Sequence, residues 1–506
     1  MKPQPRVVTR TLAIAATAAA LLACAAFAPA ALAQVRRDTA VLGMILEPAP
    51  GLDPTSAPAA AIGEIVHYNI LEGLTKINMD GSIKPLLAES WSIDPDGKSY
   101  TFKLRRGVKF SDGEAFDASD VKFSFERAKA PTSTNKAKKA VFDNISRIDT
   151  PDPLTVIVVL NQPDGNFLFR MGENTAVILD PKSAPTEATK PVGTGPFKLD
   201  AWARGASITL SRNDAYRNPA AIKMKKVTFR FINDPAAQVA ALLAGDIDGM
   251  PRFGAIQSLK QFEGDARFAV VAGGTEGKTI VSINNRKKPF DDVRVRRALA
   301  AAIDRKALID GSQEGYGKPI GSHMVPSDAG YVDLTGVNPY DPEKAKALLK
   351  EAGVATPLNV TLTLPPPPYA RKGGEIIAAD LAKIGVIAKI ENVEWAQWLS
   401  GAFKGNYDLT VISHVEPLDF DRYADPAYYW GYDSKAFNDL FARYNSTTDA
   451  KGRLKLLGDI QRQLANDSVN VYLYQLAQFA VGKKQLKGMW SSSPIFANDL
   501  SALAWQ

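Results

Sequence analysis

Metal binding would fall to His67, His323 and His414, the three histidines of the chain. Their separation along the sequence, and the lack of an HExxH or CxxC pairing, predict neither a structural zinc nor a metal cluster. Nucleophilic chemistry has no better support, because there is no GxSxG turn to expose a serine and no Walker-type phosphate loop. Gly193-Thr194-Gly195 looks superficially like a phosphate loop, but Pro196 removes a backbone donor where a phosphate would need one. It reads as a structural turn. The only cysteine is Cys24, which leaves the folded body without disulfide or thiol chemistry. No cofactor and no catalysis are expected, although a secreted hydrolase would share the size and the export signal described next.

The N-terminus sets the compartment. Lys2, Arg6 and Arg10 precede an uncharged apolar run from Leu12 to Phe27, followed by Pro29 and Ala31-Leu32-Ala33. This order predicts a secretory signal peptide over residues 1–33, cleaved after Ala33, and a periplasmic protein. A spanning helix would need about 20 strongly apolar residues, whereas this run is mostly alanine. Leu21-Leu22-Ala23-Cys24 resembles a lipobox that would make Cys24 a lipid anchor, but apolar residues continue to Ala33 where a lipoprotein would carry a polar tether. The formal charge of +7, less those three cations, leaves +4, with basic residues scattered among acids. That distribution gives no nucleic-acid footprint. A remaining chain of about 470 residues is long enough for two or three cores.

Strand and helix signals alternate through that body. Tyr100, Phe102 and Leu104 interleave with Ser99, Thr101 and Lys103, the pattern of a half-buried strand, after the turn Asp94-Pro95-Asp96-Gly97. Similar strands are predicted at 156–160, 208–210 and 227–231. Asp117 with Asp120 starts a helix whose face carries Val121, Phe125 and Ala128. Pro342 after Asp341 starts another, through Ala345, Leu348, Leu349 and Ala352, which Gly353 stops. Val295, Leu299, Ala302 and Ile303 share a helical face, as do Ile377, Leu381 and Ile384. The latter set closes at Gly385 before a strand at 386–390. Helix followed by strand implies α/β layers. Pro365 to Pro368 reads as a stiff loop.

Longer stretches carry a resemblance. Leu87-Ala88-Glu89-Ser90-Trp91, the run from Tyr100 through Phe110-Ser111-Asp112-Gly113, and Phe116-Asp117-Ala118-Ser119-Asp120-Val121 are followed in order by Pro191-Val192-Gly193-Thr194-Gly195-Pro196-Phe197, Pro289-Phe290-Asp291-Asp292-Val293-Arg294-Val295-Arg296 and Asp341-Pro342-Glu343-Lys344-Ala345. Together they resemble the family 5 extracellular solute-binding proteins of ABC importers, which include dipeptide, oligopeptide and nickel-complex binders. The resemblance implies an α/β two-lobed periplasmic binding protein (flytrap) fold with an additional subdomain and multiple interlobe crossings. Residues 34–75, 190–282 and 480–506 would build lobe I, 76–189 a subdomain attached to it, and 283–479 lobe II.

It also implies a function: capture of a small solute, a short peptide or peptide-like molecule, by hinge closure, and delivery to ABC transporter permease subunits by a monomeric protein. A metal chelate, a sugar or an opine-like molecule is the alternative solute, and holding unfolded chains a further one. In peptide-binding relatives an aspartate in a Trp-x-x-Asp pattern anchors the ligand amine. The corresponding stretch, Ser413-His414-Val415-Glu416-Pro417-Leu418-Asp419-Phe420-Asp421-Arg422-Tyr423-Ala424-Asp425-Pro426, lacks the tryptophan, so Glu416 or Asp419 would supply the carboxylate. Arg371 is the candidate for a ligand carboxylate, and Trp395, Trp398, Tyr428, Tyr429 and Trp430 for flat pocket walls.

Overall fold

The structure, a computed structural model, describes residues 38–57 and 59–506. The expected signal peptide and Cys24 lie outside the described residues. No helix among the described residues is long and apolar enough to cross a membrane.

The alternation at Tyr100, Phe102 and Leu104 becomes strand Ser99–Leu104 with those three side chains buried. It sits in a four-stranded antiparallel sheet with Ala88–Ile93, Thr155–Leu160 and Ile145–Asp152. Helix Ala118–Lys129 packs Val121, Phe125 and Ala128 into the same core. Asp117 accepts from the Ser119 N–H at 2.7 Å, and Asp120 accepts from the Asp117 N–H at 2.8 Å, closing the capping box. Helix Pro342–Glu351 likewise starts on Asp341, which accepts from the Lys344 N–H at 2.9 Å, and is followed by Gly353 at φ 71°.

Two helices end earlier than their apolar spacing predicts. Helix Val293–Ala302 stops before Ile303, which is extended, because Asp304 caps the next helix, Arg305–Ser312, by accepting from Lys306 and Ala307 N–H groups. Helix Pro368–Ala382 stops before Ile384, and the fourth proline of the predicted loop serves as its first residue. The Gly193-Thr194-Gly195 turn is built for close approach. A Cβ on Gly193 would stand 2.0 Å from the Ile70 carbonyl oxygen, so only glycine fits there.

The lobes are joined through one eleven-stranded sheet. Its order runs Val386–Asn392, Leu358–Leu364, Leu409–His414, Phe268–Ile283, Asn470–Lys483, Gly249–Met250, Thr39–Met44, Lys226–Phe231, Ser207–Arg212 and Phe197–Ala203, with Lys318–Pro319 also paired to Asn470–Lys483. The two longest strands, Phe268–Ile283 and Asn470–Lys483, are antiparallel partners that belong to both lobes. One end of the pair packs Phe268, Phe479 and Val481 beside Leu242 and Phe262; the other packs Val281, Ile283, Val471 and Leu473 beside Leu299, Leu362 and Ile377. The predicted boundaries at 282–283 and 479–480 therefore fall inside continuous strands, and core membership changes over nearer Leu476–Ala477. At that crossing the register slips between Gly274 and Lys278 and again between Thr279 and Ile280. Such bulges bend the strand and re-aim its side chains.

The subdomain also reaches across to lobe II. The Tyr444 hydroxyl donates to Asn166 Oδ1 at 2.6 Å, and the Gly165 N–H donates to Asn445 Oδ1 at 3.3 Å.

Glu187, between the subdomain and lobe I, is fully buried, and its Oε1 has no hydrogen-bond partner among the described residues. Burial pushes its carboxyl up to about 9. The folded chain therefore holds this proton more tightly than the unfolded chain, whose carboxyl titrates near about 4.3. The stabilisation is complete below the unfolded value and is lost as pH rises toward 9, with a slope of up to about 1.4 kcal/mol per pH unit. Glu187→Gln should thus melt above the native protein, by a margin that widens from pH 5 to pH 9. A margin independent of pH would show that Glu187 is not held protonated.

Candidate ligand-binding site

A cavity of about 560 Å³ lies where the two lobes and the subdomain meet, a volume suited to a small solute. Lobe I contributes His67, just after helix Ala60–Val66, together with Arg252 and the C-terminal stretch 493–496. The subdomain contributes Lys136, Arg170 and Glu173. The opposite wall holds Glu276, at the bulge of the crossing strand, and the loop 415–422 that follows strand Leu409–His414.

Asp419 organises this wall. Leu418 takes a left-handed backbone, φ 55°, and Asp419 then opens the 3-10 turn Asp419–Ala424. His414 Nδ1 lies 2.8 Å from Asp419 Oδ2, and His323 Nε2 lies 3.0 Å from Oδ1. Lys278 Nζ is also 3.0 Å from Oδ1 and donates to the Glu416 carbonyl at 2.6 Å. Tyrosines close the network behind the imidazoles, with Tyr423 Oη 3.0 Å from His323 Nδ1 and Tyr429 Oη 2.8 Å from His414 Nε2.

This corrects the expectation that the histidines are dispersed: the ligand-type atoms of His323, His414 and Asp419 lie within 4.8 Å of one another. Every imidazole nitrogen in the set already has an Asp or Tyr oxygen within hydrogen-bond distance, and Lys278 places a positive charge beside them. The arrangement is thus a neutralised hydrogen-bond network, in which a cation would have to displace existing partners.

Charges in the wall follow from burial and pairing. Burial alone would raise the Asp419 carboxyl, but Lys278, His323 and His414 outweigh it and hold it well below the usual carboxylate range. Burial would likewise lower Lys278, yet Asp419 and Glu276 keep its ammonium charged. Burial lowers His323 to about 4 against the pull of Asp419, and lowers His67 to about 3, so both are neutral near pH 7. Glu276 is pushed well above its ordinary value by burial and by neighbouring Asp328. Asp421 and Glu173 are also raised by burial, partly offset by Arg170. Arg170 spans the cleft, 3.1 Å from Asp164 in its own subdomain and 3.3 Å from Asp421 in lobe II.

Of the residues expected from the sequence, Glu416 and Asp419 line the cavity; Arg371, Trp395, Trp398, Tyr428, Tyr429 and Trp430 do not. Arg371 pairs with Glu394 at 3.1 Å on the outside of lobe II. Trp395 is 41% exposed, and Trp398 is buried with its Nε1 donating to Thr410 Oγ1 at 3.0 Å. Tyr428, Tyr429 and Trp430 join the aromatic core that backs the histidines; Trp430 stacks on Tyr423 with ring centroids 4.3 Å apart. Flat aromatic surface was expected to face a ligand, and it instead fixes the imidazoles that hold Asp419.

Sequence reasoning missed His67, Lys136, Arg170, Glu173, Arg252, Glu276 and Lys278. For the last two a signal existed. Glu276-Gly277-Lys278 places two charges beside the apolar run Ile280-Val281-Ser282-Ile283, after Gly273-Gly274, a pattern that marks a bulge or close backbone approach. The others sit in segments without periodicity.

Comparison with known proteins gives consistent likenesses. The family described as bacterial extracellular solute-binding proteins, family 5 Middle, matches residues 82–437. Di/tripeptide-binding protein 1 of Pseudomonas aeruginosa (strain UCBPP-PA14) is 33% identical over 395 residues, covering 72% of this chain and 73% of that protein. Among solved structures, the periplasmic binding protein AgaA of A. tumefaciens R10 with agropinic acid is 28% identical with a TM-score of 0.74, over 92% of this chain and 98% of that one. The ABC transporter-associated periplasmic binding protein DppA of Helicobacter pylori, in complex with the peptide STSA, is 27% identical with a TM-score of 0.73, over 94% and 99%.

Proposed function

The chain belongs to the family 5 bacterial extracellular solute-binding proteins, and from that premise we propose that it captures a short peptide or peptide-like solute between its lobes and presents it, chemically intact, to an ABC importer. The observation that carries this reading is a cavity walled by both lobes and the subdomain, on either side of two bulged crossing strands. Ligand that touches both walls binds the closed arrangement better than the open one, and this differential affinity is what can drive closure. Asp419 is already paired with Lys278, and Glu416 is exposed at the cavity rim.

In this reading the protein is a periplasmic monomer that contacts permease subunits and binds no nucleic acid, with residues 1–33 as its export signal or Cys24 as a lipid anchor. It breaks no bond in the solute. One observation favours a second class of solute: the AgaA structure, comparable in identity to the peptide-bound one, carries agropinic acid.

The test is mass spectrometry of ligand retained through gentle purification, and of a di- and tripeptide mixture after incubation with the protein. One peptide retained at a stoichiometric amount and recovered unaltered is the expected result. Cleaved peptides would overturn the binding reading, and retention of a non-peptide would replace the solute class.

A further inference from the structure

We propose that Lys278 is a built-in counter-ion that takes the place of a ligand ammonium on Asp419, so that the cavity selects peptide-like solutes whose nitrogen is acylated or otherwise lacks a free primary ammonium. The inference rests on the reading of this cavity as the solute site.

A carboxylate in the wall of a binding cavity is the ordinary acceptor for a ligand's ammonium. Here that acceptor is already served from inside the protein. Lys278, 1% exposed, directs its Nζ at two oxygens, 3.0 Å from Asp419 Oδ1 and 2.6 Å from the Glu416 carbonyl, with Glu276 Oε2 farther off at 3.8 Å. Two of its three donors are thus placed on Asp419 and the Glu416 carbonyl. Lys278 is not itself a lining residue, so it reaches Asp419 from outside the cavity surface. The two register shifts on either side of Lys278-Thr279 turn its side chain toward loop 415–422. His323 adds a second partner on Oδ1 and His414 one on Oδ2, and Lys278 stays charged despite its burial. A second ammonium at Asp419 would meet a neutralised carboxylate and a like charge beside it.

The other lining groups point the same way. Glu173 and Asp421 share the charge of Arg170. Lys136, also on the cavity near Glu173, forms no ion pair within 4 Å among the described residues and can meet a solute carboxylate. The solute class that fits is an N-acyl or N-substituted amino acid or peptide with a free carboxylate.

Titration calorimetry with Ala-Phe and N-acetyl-Ala-Phe tests this. The native protein should bind the acetylated peptide about tenfold tighter or more, and Lys278→Met should invert the preference by releasing Asp419. Tighter binding of Ala-Phe by the native protein, or an unchanged ratio in K278M, would overturn the proposal; if K278M does not fold, the native ratio decides. A second measurement needs no peptide. Lys278→Ala should regain melting temperature or refolding yield with n-butylammonium and not with n-butanol. Rescue without binding of either peptide would keep the counter-ion and discard the peptide reading; no rescue by the ammonium would overturn the counter-ion itself.

Discussion

Asp419→Ala is expected to destabilise lobe II by about 3–5 kcal/mol, the usual consequence of breaking a buried charge pair by removing one partner. The reason is what remains. The Lys278 ammonium would stay buried with Glu276 at 3.8 Å as its nearest acid, and the imidazoles of His323 and His414 would each lose a partner at 3.0 and 2.8 Å. An unpaired buried donor carries its full desolvation penalty. Asp419→Asn, which keeps one acceptor oxygen, should lose less. Glu416→Ala is the control: its side chain is exposed, so a change within about 0.5 kcal/mol is expected. Thermal and urea unfolding of the three variants check this, and an Asp419→Ala protein as stable as Glu416→Ala would refute the network.

Arg170→Ala should weaken solute binding by about 30-fold to several thousandfold, corresponding to about 2–5 kcal/mol for a buried charge partner lost at an interface. Arg170 is 17% exposed and holds Asp164 at 3.1 Å and Asp421 at 3.3 Å. Asp164 lies in the same segment as Arg170 and Asp421 across the cleft, so a hinge opening between them would break only the Asp421 contact. Without the guanidinium, Asp421 and Glu173, both already raised by burial, would share a closed cavity with less positive charge to offset them. Closure becomes harder, and solute affinity falls with it. Tyr444→Phe, which removes one hydrogen bond across the same seam, should weaken binding only by about 2- to 13-fold, matching about 0.5–1.5 kcal/mol. Titration with the retained solute, alongside small-angle scattering for the open form, measures both. Binding of Arg170→Ala within threefold of the native protein would remove the cleft pair from the closure mechanism.

The aromatic residues show how far sequence reading reaches. Trp398, Tyr429 and Trp430 were recognisable as a dense aromatic patch, but whether such rings face a ligand or a core depends on what packs behind them. Here His323 and His414 do. Asp419 was legible as a charged residue in the right loop, while its partner Lys278, placed by a bulge in a strand, was not.

The sequence by itself determined the local elements, because alternation, capping aspartates and stopping glycines act over a few residues. Ser99–Leu104, Ala118–Lys129 and Pro342–Glu351 follow from neighbours within one or two turns. Its ordered motifs also carried the family. Only the tertiary structure decided the composition of the cavity. The contacts that define it join residues 96 positions apart, as His323 and Asp419, or 138 apart, as Lys278 and Glu416. Sheet register and the path of the chain between lobes set such pairs, and a hydrophobic period of two or 3.6 residues contains no record of either.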